Sequence, residues 1–197
     1  MNRSKRILNY FNSNIITSKE FRLLINVETF KIPNVSKNSP IAYGSTTLVF
    51  DSIVENRVIG ATFDILKCYY MKALNKKCGI DFRILEIREY EKDKFMIFFD
   101  MEKLETLEDY NYDLYEEFYA AASDFDYSEH ITDEMYEAIC DFNVMTLHED
   151  ILDLISRKTY LPEYLIDIHE DQLMVKEDKI YCFDFFIPIN LSRGIGN

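Results

Sequence analysis

Four residues near the end of the chain have types and spacing that suit chemistry: Asp167, His169, Gln172 and Asp184. Between Gln172 and Asp184 lie two short apolar runs, Leu173-Met174-Val175 and Ile180-Tyr181-Cys182-Phe183, separated by the polar Lys176-Glu177-Asp178. Two β-prone runs around a short polar break predict a β-hairpin. The ends of a hairpin lie side by side, so Asp167, Gln172 and Asp184 are expected to converge. Two carboxylates and an amide at one point are hard oxygen ligands of the kind Mg²⁺ takes. The plainer alternative is a solvated acidic loop at the end of a hairpin, since charge clusters next to strands are commonly surface. His169 is read as making a structural hydrogen bond within the loop.

The whole chain limits what such a site can serve. It has 197 residues, 48% of them hydrophobic, with 15 Phe, 14 Tyr and no Trp. That is enough to bury a core in one domain or two small lobes. The net charge of −13 argues against a general nucleic-acid binder, whose affinity rests on Lys and Arg neutralising phosphates. It suits either a merely soluble acidic protein or an acidic decoy for a basic protein surface. Cys68, Cys78, Cys140 and Cys182 show no CxxC spacing, which gives no support for a zinc or redox pair. Each has apolar neighbours and is expected to act as a small buried hydrophobe. Met1–Phe11 is basic without a long apolar core, unlike a signal peptide, and no run approaches the ~18 apolar residues of a membrane span. The expectation is a cytoplasmic protein with reduced thiols.

The elements that position the four residues follow from periodicity. A short helix is predicted near Ser4–Asn12 and a strand over Phe21–Val27. The stretches "TTLVFDSI" and "VIGATF" read as strands, and "FDILKCYYMKALNKK" as a helix with Asp64 at its start and Lys76 and Lys77 at its end. "FRILEIREY" and "KFMIFFDM" read as two more strands. From Glu105 the apolar spacing turns helical: Leu107, Leu114, Phe118 and Ala121, then a second helical stretch from Thr132 to Lys158. The predicted class is α+β, with an extension over 1–40, a small antiparallel sheet with one helix over 41–104, and a helical half with the hairpin over 105–197.

At this point the motifs resemble a known family. Asp167-Ile168-His169-Glu170-Asp171-Gln172-Leu173-Met174, followed by Asp184-Phe185, resembles the catalytic loop and metal-binding Asp-Phe motif of protein-kinase-like enzymes. Upstream, "AYGSTTLVF" is similar to their glycine-rich loop, with Gly44 kept and Ala42 and Thr47 at the other two glycine places. "VIGATF" falls on the strand that carries the phosphate-binding Lys, with Gly60 at the Lys place. "FMIFFDMEKLETL" looks like the strand and hinge between lobes, near Phe98 to Lys103. The likeness extends over roughly residues 38–190, and it is nearest to the early-gene serine/threonine protein kinases of short-tailed bacteriophages.

The resemblance implies a two-lobed fold with a reduced helical lobe, Asp167 at the base place, Gln172 and Asp184 at the metal places, and ATP and Mg as cofactors if the chain is active. The departures bear on that activity. In kinases the Lys pairs with a Glu of the first lobe's helix to orient the phosphates. Gly60 offers no amine, and Asp64–Lys77 contains no Glu. Phe186 stands at a Gly place, and only 13 residues follow Asp184 in this sequence, too few for a peptide-docking platform. The expectation is therefore a pseudokinase-like interaction protein, phage-encoded and acting in the host cytoplasm. It would bind a host protein with a basic surface, with no direct contact to nucleic acid or membrane. Glu116, Glu117, Asp124 and Asp126 are the expected interaction face. Two alternatives stay open: an active atypical serine/threonine kinase, and an acidic nucleic-acid mimic that inhibits a host defence protein.

Overall fold

The computed structural model describes residues 31–37, 39–44, 46–91, 94–122, 144–145, 157, 164–166, 168, 170–183 and 186–188. The predicted helix at Ser4–Asn12 and strand at Phe21–Val27 lie outside them. The chain divides into two compact units: residues 1–103 with 155–162, and residues 104–154 with 163–197. The class is α+β.

The first unit is built on an antiparallel sheet of five strands: β1 (Ala42–Tyr43), β2 (Thr47–Asp51), β3 (Arg57–Thr62), β4 (Phe82–Glu91) and β5 (Lys94–Glu102). Their spatial order is β1-β2-β3-β5-β4. Residues Val58–Thr62 and Phe95–Asp100 are buried without a break, so both faces of the two inner strands are covered. That explains why "KFMIFFDM" reads as a continuous apolar run. β4 sits at the edge, and its pairing with β5 is interrupted by register shifts between Ile84 and Glu86 and between Glu89 and Glu91. Such bulges are common on edge strands.

One helix, α1 (Ile65–Cys78), joins β3 to β4. Asp64 is its N-cap: Oδ1 accepts from the amides of Leu66 (2.8 Å) and Lys67 (3.2 Å). The last turn carries Lys76 and Lys77, and Gly79 closes the helix at φ 71°, donating to the carbonyl of Asn75. A Cβ at Gly79 would meet nothing within 4 Å, so the left-handed backbone is what favours glycine there. Leu66, Tyr70, Met71 and Leu74 form its buried stripe.

A charge network lies among these strands. Asp100, 2% exposed, accepts from Arg57 through Oδ1 and from Arg83 Nε through Oδ2 at 2.7 Å. Arg57 also pairs with Asp81. The guanidinium of Arg88 lies 4.7 Å from the centre of the Phe98 ring and pairs with Glu86.

The second unit begins with β6 (Glu105–Thr106), α2 (Leu107–Tyr110) and α3 (Tyr112–Ala122). Sequence periodicity suggests a single helical stretch here, but the chain breaks at Asn111, which is extended at φ −155°. Its Oδ1 accepts from the amide of Leu114 at 3.1 Å, and capping of this kind competes with continuing a helix. Leu107 and Phe118 are buried, and Leu114 and Ala121 half-buried.

The remaining described strands are β7 (Val144–Met145), β8 (Tyr164–Ile166), β9 (Leu173–Lys176), β10 (Lys179–Cys182) and β11 (Phe186–Pro188). They form a four-stranded sheet, β6-β9-β10-β7, and a separate β8–β11 pair. The helix predicted through 132–158 is corrected at β7, which pairs parallel to β10 through Val144↔Ile180 and Tyr181↔Met145. The rest of that stretch, Arg157 apart, lies outside the described residues.

Candidate functional site

β9 and β10 form the predicted hairpin, in the register Lys176↔Lys179 to Leu173↔Cys182. Its loop is two residues, Glu177 and Asp178, both left-handed at φ 51° and 61°. A two-residue loop with both φ positive matches the right-handed twist of its strands. Leu173 and Val175 are buried, and Met174 and Lys176 half-buried, the alternation of a sheet with one covered face.

The ladder continues one step past Cys182, where the Phe183 amide donates to the Gln172 carbonyl at 3.0 Å. Gln172 ends a single 3₁₀ turn, Glu170–Gln172, and is 7% exposed. Its Oε1 accepts from the Cys182 thiol at 3.7 Å, a weak bond that a harder partner would compete with. On the far side of the loop, β8 and β11 pair antiparallel with Ile166 opposite Phe186. Two contacts thus join the described ends of this region, Gln172 to Phe183 and Ile166 to Phe186. Asp167, His169 and Asp184 themselves lie outside the described residues.

The expected nucleotide-binding positions fall in the first unit. Gly44 donates its amide to the Thr47 carbonyl at 2.8 Å, so it sits at the base of a tight β1–β2 turn. Thr46, Thr47 and Thr62 are buried there. Thr47 Oγ1 donates to Thr62 Oγ1 (3.1 Å), and Thr62 Oγ1 to the Thr46 carbonyl (2.8 Å). The same Thr62 oxygen accepts the Asp64 amide at 3.0 Å, tying the turn to the start of α1.

Gly60 lies opposite Phe99. A Cβ built on it would stand 1.9 Å from Phe99 Cζ. The ring lies flat over the glycine and packs against Phe82 at 5.2 Å between centroids. Glycine at 60 leaves the space that the Phe99 ring fills, so a side chain there must displace the ring. No side chain of any kind enters at this position while Phe99 keeps its place.

Charge is divided unequally between the units. The first holds 19 basic and 12 acidic residues, the second three and 23, giving formal charges of +7 and −20. The ion pairs seen among the described residues all lie in the first unit: Arg57 with Asp81 and Asp100, Arg83 with Asp100, Arg88 with Glu86, and Lys103 with Asp51.

In the second unit, carboxylates meet tyrosine hydroxyls. Tyr110 donates to Asp178 (2.9 Å) and Tyr115 to Asp171 (3.1 Å). Partial burial, that bond and the charges of Asp171, Glu170 and Glu108 push the Tyr115 hydroxyl up to about 12. Tyr112 is raised by its bond to Glu116 and then by the charge of Glu116. Tyr110 is raised by its bond to Asp178 and then by the charge of Asp178.

Of the expected interaction face, Glu116 and Glu117 are exposed on α3, while Asp124 and Asp126 lie outside the described residues. The tyrosines beside them carry no weight in the sequence reading. Their signal is the spacing Tyr112, Tyr115, Tyr119 inside an acidic run. Among the described residues, no group of three or more His, Cys, Asp or Glu is placed to hold a metal ion. Cys68 and Cys182 are buried free thiols, and burial, with the charge of Asp64, raises Cys68 to about 12. No described helix is long and apolar enough to cross a membrane. The chain matches no family model, no curated protein and no solved structure.

Proposed function

We propose that this chain is a binding protein on a kinase-like framework, without a kinase's means of handling phosphate, and that it engages a partner with a basic surface. The observation that carries the reading is Gly60 under the Phe99 ring. At the position where the resemblance calls for an amine, the strand has no side chain and no room for one. α1 contains no Glu, so the other half of the phosphate-orienting pair is absent as well. Phosphoryl transfer depends on positioning and electrostatic stabilisation, which these losses remove together. The binding half of the reading rests on the −20 of the second unit and on the exposed Glu116 and Glu117. A host-takeover setting, in the cytoplasm of an infected cell, follows from the phage-kinase likeness.

An active phosphotransferase is the second reading. What favours it is the buried Gln172 at the mouth of the hairpin, bonded to Phe183, together with Asp167 and Asp184 in the sequence.

Titration calorimetry with ATP and Mg²⁺, and radiolabel transfer to generic substrates, separate the two. The expected result is neither binding nor transfer. Transfer that disappears in Asp167→Ala and Asp184→Ala establishes the kinase instead. Capture from host lysate at low and high salt tests the partner. Retention that weakens with salt, and in Glu116→Lys with Glu117→Lys, is expected. Retention insensitive to both removes the acidic face from the function.

A further inference from the structure

The exposed rings of the second unit define the partner's chemistry more narrowly. Tyr112, Tyr115, Glu116 and Tyr119 recur at the i, i+3, i+4, i+7 spacing that puts side chains on one helix face. Tyr112 and Tyr119 are 57% and 52% exposed, where rings of this size are usually covered. The Tyr112 and Tyr115 rings stack at 6.2 Å with 26° between their planes. Tyr115 is tied to Asp171, which fixes the ring before any partner arrives. Glu108, Glu116 and Asp171 stand around the pair, and among the described residues the charges that act on the Tyr112 and Tyr115 hydroxyls are carboxylates.

We propose that the face formed by α2, α3 and the turn at Glu170–Gln172 receives an arginine-rich extended segment of a partner protein, with guanidinium groups lying on Tyr112 and Tyr119 and pairing with Glu108, Glu116 and Asp171. This rests on the binding reading above and deepens it. A planar guanidinium both stacks on an aromatic face and pairs with carboxylates through a fork of donors. A lysine ammonium is a compact, strongly hydrated charge that uses the carboxylates but gains less from the rings. A second copy of the chain offers less among the described residues of its first unit, where Arg57, Arg83 and Arg88 are paired with carboxylates and the exposed cations include the α1 lysines Lys72 and Lys76.

The test is fluorescence anisotropy of the full chain with two labelled peptides matched in length and charge, one arginine-based and one lysine-based. The arginine peptide is expected to bind roughly fivefold tighter, the size of one or two exposed cation–π contacts. Tyr112→Leu with Tyr119→Leu removes that preference and leaves the lysine peptide unchanged. Glu116→Lys weakens both. Both Tyr positions are exposed, and an unchanged unfolding midpoint confirms that the variants fold.

Equal affinity for the two peptides overturns the arginine face, while salt-sensitive capture from lysate leaves the broader reading standing. A preference for arginine that survives both Tyr substitutions also overturns it. An arginine preference lost with the tyrosines, but with nothing captured from lysate, upholds the face and sinks the broader reading. Sedimentation showing self-association that Tyr112→Leu abolishes puts a second copy on the face and overturns the proposal.

Discussion

In the first unit the described ion pairs join its own cations and carboxylates, whereas the described carboxylates around α2 and α3 in the second meet tyrosine hydroxyls. Asp100, Arg57 and Arg83 sit within a sheet whose inner strands are covered on both faces, and each cation there meets a carboxylate. In the second unit the carboxylates outnumber cations by 23 to three, and those around α3 find tyrosine hydroxyls instead. A tyrosine satisfies a carboxylate's lone pair without cancelling its charge. The first arrangement favours one fold. The second leaves a field directed outward, a feature of surfaces that steer a partner. Acidic composition alone misses this difference, because the −13 of the whole chain averages over +7 and −20.

The contrast breaks most visibly at Asp100. Asp100→Ala removes the buried carboxylate shared by the largely buried Arg57, which keeps Asp81, and the exposed Arg83, and is expected to cost about 1.5–3 kcal/mol in denaturant unfolding. A cost under ~1 kcal/mol would mean that the network behaves as a surface pair, and the contrast between units fails.

Gly60→Ala comes next. Its Cβ needs the space of the Phe99 ring, and overpacking of this kind costs about 1–3 kcal/mol. In a double-mutant cycle with Phe99→Leu, the two changes should be non-additive. Additive losses would show that the ring is not what holds glycine at 60.

In the second unit, Glu116→Lys and Glu117→Lys are expected to change stability by no more than about 0.5 kcal/mol, with a shift toward greater stability as like charges separate. Marked destabilisation would reveal a structural role for these acids and weaken the case for an outward-facing surface.

A last effect, confined to alkaline pH, concerns Tyr115. Its hydroxyl is held up at about 12, against roughly 10 in an unfolded chain. An acid whose folded value is raised contributes stability below its unfolded value, and that contribution is lost as pH rises through the folded one. Spectrophotometric titration should find Tyr115 ionising late, with stability falling between about pH 10 and 12. Tyr115→Phe should flatten that fall.

Much of this was legible in the sequence, and the residues show why. α1 is bounded by signals that act locally, the capping carboxylate of Asp64 and the lysines before Gly79. The hairpin was readable because its two apolar runs are adjacent and β-prone. β7 was not readable: Val144 and Met145 are strand only because Ile180 and Tyr181 lie beside them, and a two-residue run has no periodicity of its own. Asn111 was taken for one more helical position because its capping bond is to a residue three further on. The register of Phe99 over Gly60 is a fact of strand pairing, invisible in either segment alone. Asp100 and Arg57 are 43 residues apart, yet one hint existed. A lone acid inside "FMIFFDM" must find a partner or remain unburied. As for the candidate site, the hairpin logic put Gln172 at the start of β9, where the structure has it, whereas the sequence reading singled out none of the tyrosines of α3.

β10 is flanked on one side by β9, two residues away through its turn, and on the other by β7, which precedes it by about 35 residues. The two neighbours should arrive at different times. A hairpin closes in about 1–10 μs, whereas the parallel partner must first bring together a far longer loop, at an entropic cost that grows with the logarithm of its length. During that interval one edge of β10 is open to any strand that reaches it. Refolding at high concentration therefore risks Ile180 and Tyr181 pairing with the Val144–Met145 strand of another molecule, and dilution is the natural remedy.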